Sequence, residues 1–455
     1  MKNALDYTCP LNLVFPFTRS KLKLWCLHMA YNNQIYKQMK KVILFTDRTP
    51  TPDNYNGPSA LLYHLIVKRP SHIGIQIYST NVNRVGKQEI ENISRTLRAN
   101  ISIVNYSIID KLLVSYKLNK LLSMFLRNRK PSGAYYHLAA RIKNEIDSEK
   151  PDLLWIYPHY FIGVAKQFPH IPKLITGPDC ASLHNSRLLR DYYVYYSNNY
   201  KSFLNAYLCK LNLEKEWESI PNTKIHVVGQ TDEEYLKEIS PHLVCKFFPH
   251  PHYLVQPIEE HNYQYPIKVL ISGKPDMYTF TYMERLVNEL TNNPRKSIQC
   301  NVEFTMLGKQ WIKYCNDLKS SKYKTKNIAW VDNYTEFIKN FDIQLFPISV
   351  GSGTKGKVLD ALSNGLICIG SKYAFENIAI KPERTCLIYE SIDEMVNLLE
   401  KVVTSPLLYK NMAINARKEI LFYHNPEIIS KELFQWALEG VDNRQYNEYY
   451  KLSLR

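Results

Sequence analysis

Short runs of apolar, largely β-branched residues recur along the chain, separated by longer stretches in which apolar positions return every three or four residues. Runs without polar alternation read as strands buried on both faces, and the 3.6-residue periodicity between them reads as helix. A first series of strands falls at 42–46, 73–78, 101–104, 153–157, 173–176 and 225–228, with helices over 59–67, 88–98 and 137–148. The pattern then restarts, with strands at 268–272, 303–307, 327–331, 343–346, 366–369 and 386–388. Helices over 282–291, 335–340, 358–363 and 392–403 separate this second set. Strands alternating with helices build parallel sheets from βαβ units, so two successive α/β domains with a cleft between them are expected.

The length agrees, because 455 residues exceed what one ordinary core holds. The segment Phe248-Pro249-His250-Pro251-His252 and the polar stretch after it divide the two series. The expected bounds are 39–255 for the first domain, 256–266 for a linker and 267–425 for the second domain. A helical tail over 426–455 is then free to pack back on the first domain. Residues 1–38 fit poorly: the apolar run from Leu11 to Phe17 is short, contains Pro16 and is followed by no small-residue cleavage site. Met39-Lys40-Lys41 leads straight into Val42-Ile43-Leu44-Phe45, so either Met39 is the true start or 1–38 is an appendage outside the fold.

A net charge of +16 makes anionic partners the expectation: nucleic acid, an anionic membrane surface or phosphorylated substrates. The nine cysteines are scattered and contain no C-x-x-C pair, which argues against a zinc site or a disulfide framework and suits a reducing, cytoplasmic setting. No segment reaches the roughly 20 apolar residues that cross a bilayer. Only 15 glycines are present, so a cluster of them carries information.

That cluster follows the expected strand at 343–346 and reads Val350-Gly351-Ser352-Gly353-Thr354-Lys355-Gly356-Lys357-Val358-Leu359-Asp360-Ala361-Leu362-Ser363-Asn364-Gly365. Ligands of open α/β sheets bind beyond the carboxyl ends of strands. Glycines admit an anion close to the backbone, and the helix opening near Lys357 offers unpaired N–H groups. Lys355 and Lys357 add charge suited to a diphosphate, and Asp360 lies one turn on, placed to accept hydrogen bonds from a ribose. G-x-G alone is equally an ordinary turn before an amphipathic helix.

The whole run, through Leu359, Ala361 and Gly365 to Ala374-Phe375-Glu376-Asn377-Ile378, resembles the donor-site signature of the large retaining GT-B glycosyltransferase family usually numbered four. The family wording is G-x-G-T-[RK]-x-K-[VIL]-L-E-A-x-x-x-G-x-P-V, with an A-x-E-G turn after it. The resemblance implies a GT-B fold, two Rossmann-like doubly wound domains facing a cleft. It implies a hexosyltransferase-like enzyme that takes a nucleotide-sugar donor in the second domain, retains anomeric configuration and needs no metal or other cofactor. It assigns donor-binding roles to Gly273, Lys274, Gly351, Ser352, Gly353, Thr354, Lys355, Lys357 and Asp360. Met306-Leu307-Gly308 is similar to the family's I-x-G turn, and Trp330-Val331-Asp332-Asn333-Tyr334 falls where relatives place the loop beside the base. Three departures stand out: Asp360 replaces the usual Glu, Ser352 replaces the first acid of the longer E-x7-E form, and Leu366-Ile367 replaces x-Pro. The first two put the ribose and sugar contacts in doubt.

In the first half, Asn56-Gly57 lies where relatives carry an acceptor-facing loop, though Asn-Gly is also an ordinary turn. Asp179 and His184 follow another strand and are the candidates for catalysis and acceptor orientation, with a helix cap the plainer alternative for Asp179. His159, in Tyr157-Pro158-His159-Tyr160, reads as structural. The stretch from Ile108 to Lys130 interleaves Leu112, Leu113, Leu118 and Phe125 with Lys111, Lys117, Lys120 and Arg127, a basic amphipathic pattern suited to the inner face of a cell membrane. Together these features suggest a cytoplasmic or peripheral enzyme acting on a glycan or lipid-linked glycan in surface polysaccharide assembly. The alternatives are a GT-B epimerase or phosphorylase and a catalytically silent paralogue. A basic nucleic-acid-binding protein is disfavoured, because the lysines are spread over both halves without a basic stripe.

Overall fold

The computed structural model describes residues 39–53, 58–105, 131–177, 179–192, 200–252, 255, 262–276 and 278–439. Residues 1–38, Asn56 and Gly57, the stretch from Ile108 to Lys130 and the end of the tail lie outside the described residues. Seven parallel strands form the first sheet: β1 (Lys40–Thr46), β2 (Ile73–Ser79), β3 (Asn100–Ile103), β4 (Leu153–Tyr157), β5 (Lys173–Thr176), β6 (Thr223–Val227) and β7 (Cys245–Phe247). Their order is β3-β2-β1-β4-β5-β6-β7. Six parallel strands form the second: β8 (Ile267–Ser272), β9 (Val302–Leu307), β10 (Lys324–Ile328), β11 (Ile343–Phe346), β12 (Ile367–Ser371) and β13 (Leu387–Tyr389), in the order β10-β9-β8-β11-β12-β13.

Each order reverses direction once, between β1 and β4 in one sheet and between β8 and β11 in the other. Those are the points where connections leave to opposite sides and open a crevice for ligand. Helices cover both faces, which is why the strands are continuously apolar: Val42, Ile43, Leu44 and Phe45 of β1 are wholly buried.

Most strands fall within two residues of the sequence expectation; the two that depart further lie on sheet edges. β7 has only three residues. β10 begins at Lys324, three residues ahead of the apolar run, because an edge strand tolerates the exposed pattern of Lys324, Lys326 and Asn327. The apolar run instead leaves the sheet, with Trp330 at its end 77% exposed.

The helix Pro426–Leu438 follows the second domain in sequence but packs on the first sheet. Ile429, Leu433 and Phe434 are wholly buried there, with Phe434 edge-on to Trp155 of β4 at 5.5 Å. Ser430 donates to the Leu65 carbonyl at 2.7 Å, and Lys224 of β6 donates to the carbonyls of Trp436 and Glu439. Truncating a fully buried aromatic costs about 3–5 kcal/mol, so Phe434→Ala is expected to lower unfolding free energy by that amount in a denaturant titration followed by Trp fluorescence. A loss under about 1 kcal/mol would mean that this helix is only loosely seated.

Candidate active site in the interdomain cleft

A cavity of about 530 Å³ lies between the carboxyl ends of the two sheets. Its second-domain wall comes from the turn after β8 (Gly273, Lys274), from Trp311, from the segment after β11 (Pro347, Ile348) and from the glycine loop (Ser352, Thr354, Lys355, Gly356, Lys357). Its first-domain wall carries His159, Asp179, Ala181 and His184.

The turns on the second-domain side need glycine for steric reasons. Gly273 and Gly308 sit at φ +128° and +131°, and a Cβ on Gly308 would come 1.6 Å from the Gly273 carbonyl oxygen. Only two glycine turns let the β8 and β9 loops meet this closely. Trp311 Nε1 donates to the same carbonyl at 3.0 Å and stiffens the turn that presents Lys274. Gly356 opens the helix Gly356–Ser363, and a Cβ there would meet nothing within 4 Å, so its backbone faces open space. Unpaired N–H groups at this helix end and three lysines around it make a cationic cradle for an oxyanion. Lys357 reaches back beside Gly273 and lies 6.0 Å over the Tyr334 ring. Lys355 Nζ donates to the Ser352 and Gly353 carbonyls at 2.8 and 2.9 Å, which curls the loop around its own lysine. Burial pushes both ammonium groups down, with Glu376, Asp179 and Asp232 opposing it at Lys355 and Asp360 and Asp276 opposing it at Lys357. A bound dianion would restore what burial removes.

The first-domain wall is polar and carries no lysine or arginine. Burial, with Lys355 and Arg187 beside it, pulls His184 down to about 4, so its imidazole is neutral at physiological pH. The ring stacks on Tyr278 at 5.0 Å. Asp179 opens onto the cavity while ringed by protein; desolvation and the nearby Asp232 push it up to about 7, against the pull of Lys355.

Between the walls the domains are stitched together. Asp232, wholly buried in the first turn of the helix Gln230–Ile239, accepts from Cys180 N at 2.6 Å and from Gly353 N and Asn377 Nδ2 at 3.3 Å each. Asn377 Oδ1 in turn accepts from Thr231 N and Oγ1. Thr354 Oγ1 donates to the Val228 carbonyl at 2.7 Å. Arg187 forks onto both Glu376 carboxylate oxygens at 2.7 Å and also reaches the Gly351 carbonyl. Gly353, at φ +66°, lies so close to Asp179 that a Cβ would sit 1.6 Å from Oδ1.

Of the residues proposed from sequence, Asp179, His184, Gly273, Lys274, Ser352, Thr354, Lys355 and Lys357 all line the one cavity. Gly351 and Gly353 lie behind it in the stitched layer. Asp360 is set back from the wall beyond Lys357, and burial pushes its carboxyl up to about 7 against the pull of Lys357. Ser352, where an acid was expected, lines the cavity with Oγ 3.5 Å from the Cys180 carbonyl. Sequence reasoning missed Tyr278, Trp311 and Asp232; His159, read as structural, packs on Trp217 and Tyr160 and also borders the cavity. Asp232 lies in the first turn of the helix after β6, where an acid is expected for dipole reasons alone. Among the described residues no three His, Cys, Asp or Glu side chains gather as a metal site, and no helix is long and apolar enough to cross a membrane. Among the described residues no cysteine forms a disulfide.

No protein-family profile and no curated protein sequence matches this chain. The fold does match solved structures: two Rossmann-like domains with this strand order and this cleft are the GT-B fold of glycosyltransferases. Anabaena HepE in complex with UDP superposes with a TM-score of 0.57 at 11% identity, covering 88% of this chain and 99% of its own. Sucrose-phosphate synthase from Thermosynechococcus elongatus gives 0.60 at 12% identity, over 87% and 98%. The lipopolysaccharide outer core galactosyltransferase WaaB gives 0.53 at 12%, over 88% and 99%.

The buried junction has a pH signature. Desolvation raises Asp232 from 3.8 to about 6, only partly offset by its hydrogen bond from Cys180 N. The folded chain therefore binds this proton more tightly than the unfolded chain, and stability from this group falls as pH rises from about 4 through 6. Asp232→Asn removes that titration along with two acceptor contacts. Its stability deficit should narrow by about 1 kcal/mol between pH 5 and 7.5, read as paired denaturant midpoints. A deficit independent of pH would mean that Asp232 is ionised throughout.

Proposed function

We propose that this protein is a glycosyltransferase that moves a sugar from a nucleotide-sugar donor, bound against the second domain, to a hydroxyl-bearing acceptor presented by the first. The observation that carries the reading is the cationic cradle: Lys274, Lys355 and Lys357 around the open Gly356 helix end, facing a wall of Asp179, Ala181 and His184 across one cavity. Phosphate wants the first surface and sugar hydroxyls the second. The bound UDP and UDP-glucose named for HepE point to the same class of donor.

In this reading the lysines and helix N-terminus stabilise negative charge as it develops on the departing diphosphate, which is where fixed dipoles contribute most to rate. Gly273 and Gly353 let the backbone come close, and Ser352 and Thr354 offer hydroxyls at the diphosphate–sugar junction. Asp179 and His184 orient the acceptor hydroxyl against the anomeric carbon, a contribution of proximity. Asp360 acts through Lys357, holding its ammonium in place. Retention of configuration follows from the motif resemblance. A glycan or lipid-linked glycan acceptor fits the excess positive charge, and WaaB is by its name a lipopolysaccharide galactosyltransferase. Surface-glycan assembly at the inner membrane face, with the stretch from Ile108 to Lys130 as membrane contact, is the setting we favour.

A panel of nucleoside diphosphates and their sugars, screened by thermal stabilisation, tests this. At about 100 times its dissociation constant a ligand adds roughly 2.7 kcal/mol to the native state. One nucleotide should stabilise the natural chain and lose most of that effect in the Lys355→Ala, Lys357→Ala double variant. Equal stabilisation of both proteins, or stabilisation only by DNA or RNA, overturns the reading.

A further inference from the structure

Glu214 is one of only two buried residues in the helix Tyr200–Glu216, the other being Leu213. Its carboxylate bonds to one short segment of chain: Oε1 accepts from Ser182 N at 3.1 Å, and Oε2 accepts from Ser182 Oγ and, at 3.3 Å, from Cys180 Sγ. Burial costs the carboxyl its hydration and pushes it up to about 7, against the pull of those same bonds. An apolar residue of similar volume would fill the space without that cost, so an acid here asks for a reason. The segment it grips is the start of the helix Ala181–Arg187. Helix starts leave N–H groups unpaired within the helix, and Ser182 N is one of them. A second buried acid, Asp232, takes Cys180 N at 2.6 Å. Two carboxylates from two other helices therefore fix one turn. Helical spacing decides what that turn controls. Ser182 is wholly buried against Glu214, whereas Ala181 and His184, three apart, line the cavity, and Asp179 lines it just ahead of the helix.

We propose that Glu214 is a positioning residue: from outside the cavity it grips the start of the helix Ala181–Arg187, and so sets where Asp179 and His184 stand for sugar transfer. The inference rests on the glycosyltransferase reading above and deepens it. Asp179 has no slack, since a Cβ on Gly353 of the second domain would sit 1.6 Å from its Oδ1. His184 has little, with its ring stacked on Tyr278 of the second domain at 5.0 Å and 23°. A small shift of the helix start therefore disturbs both contacts at once. At reacting groups a displacement of about 1 Å costs on the order of a hundredfold in rate. The bond to Ser182 N matters most, because it fixes main chain rather than a side chain that can rotate away. Glutamine supplies that bond as well: its amide oxygen accepts from Ser182 N, and its NH2 group is left to donate to Ser182 Oγ. Leucine supplies neither and leaves the buried Ser182 N–H without its acceptor.

The test compares the natural chain with Glu214→Leu, Glu214→Gln and Glu214→Asp, each carrying histidine isotopically labelled at Cε1 for NMR. The His184 signal is identified by its absence from His184→Gln, and Tyr278→Leu gives its position without the ring stack. In Glu214→Leu the signal should move toward that unstacked position. Glu214→Gln should keep the natural position, and Glu214→Asp, one methylene short, should fall between. The signal of His424, buried and bonded to the His250 carbonyl, certifies that each variant is folded. The second readout is turnover of UDP-glucose, UDP-galactose, UDP-N-acetylglucosamine or GDP-mannose, whichever the natural chain consumes, followed as release of the diphosphate. In Glu214→Leu kcat should fall at least about tenfold with KM within about threefold, and Glu214→Gln should restore it. A merely structural acid would lower the unfolding temperature without this split and without moving His184. An unmoved His184 signal in Glu214→Leu overturns the proposal, as does a moved signal with kcat unchanged. Should Glu214→Leu fail to fold, Glu214→Asp carries both readouts with the same overturning results. If the natural chain consumes none of these sugars and binds no diphosphate, it is the glycosyltransferase reading that fails, and this inference with it.

Discussion

The cleft is defined by one carboxylate that never meets water. Asp232 gathers donors from three separate segments, the Cys180 backbone, the Gly353 backbone and the Asn377 amide, and two of the three belong to the other domain. An interdomain surface is ordinarily polar and loosely held, so domains drift unless something over-determines their contact. Here Asp232, the Arg187–Glu376 fork and the Thr354–Val228 bond all pass through the Gly351–Lys355 loop or the turn facing it. The contacts that join the domains and those that shape the glycine loop are therefore the same contacts.

That coupling explains where glycine is needed. A Cβ on Gly229 would lie 2.0 Å from Asp232 Oδ2, and one on Gly353 would lie 1.6 Å from Asp179 Oδ1. The two glycines sit on opposite domains, and each makes room for a carboxylate that a larger residue would expel. Gly353 also needs φ +66°, which a side chain resists. So the second glycine of the G-x-G pair is a domain-contact residue as well as part of an anion loop. Its neighbour Lys355 stands near Asp179 and Asp232, so the loop carries its own countercharge into the buried layer.

Much of this was legible in the sequence. Buried parallel strands announce themselves as unbroken apolar runs, and β4, β5 and β11 begin and end where the pattern places them. Edge strands do not, since half their surface faces water; β7 is too short to register and β10 is disguised by its lysines. The glycine loop at the cavity was legible as a candidate because its pattern is local, a dozen consecutive residues after one strand. The first-domain wall was only partly so. Asp179 and His184 follow β5 and could be guessed, but a histidine that lines a ligand site and one that fills a core look alike in one dimension. That His159 borders the cavity as well as the aromatic core is visible only in three dimensions. Asp232 is a harder case, because an acid in the first turn of a helix is the expected residue there for dipole reasons alone. Its hydrogen bonds cross to a segment 121 positions away.

The uneven distribution of charge across the cavity follows from the same architecture. In the reading proposed above, the second domain meets its ligand through backbone N–H groups and lysines, which a compact anion satisfies whatever is attached to it. Selectivity for the attached group must then come from the other wall. Charged side chains there would serve it badly, since an ionised group is indifferent to which of several hydroxyls it meets. Neutral side chains with fixed directions discriminate better, and burial is the means of keeping them neutral: it draws His159 and His184 far below physiological pH and lifts Asp179 toward it. The substitution of Ser352 for an acid extends this, removing a formal charge from the place where the two walls meet. A chain with an excess of sixteen positive charges thus places no lysine or arginine on the first-domain wall of the cavity.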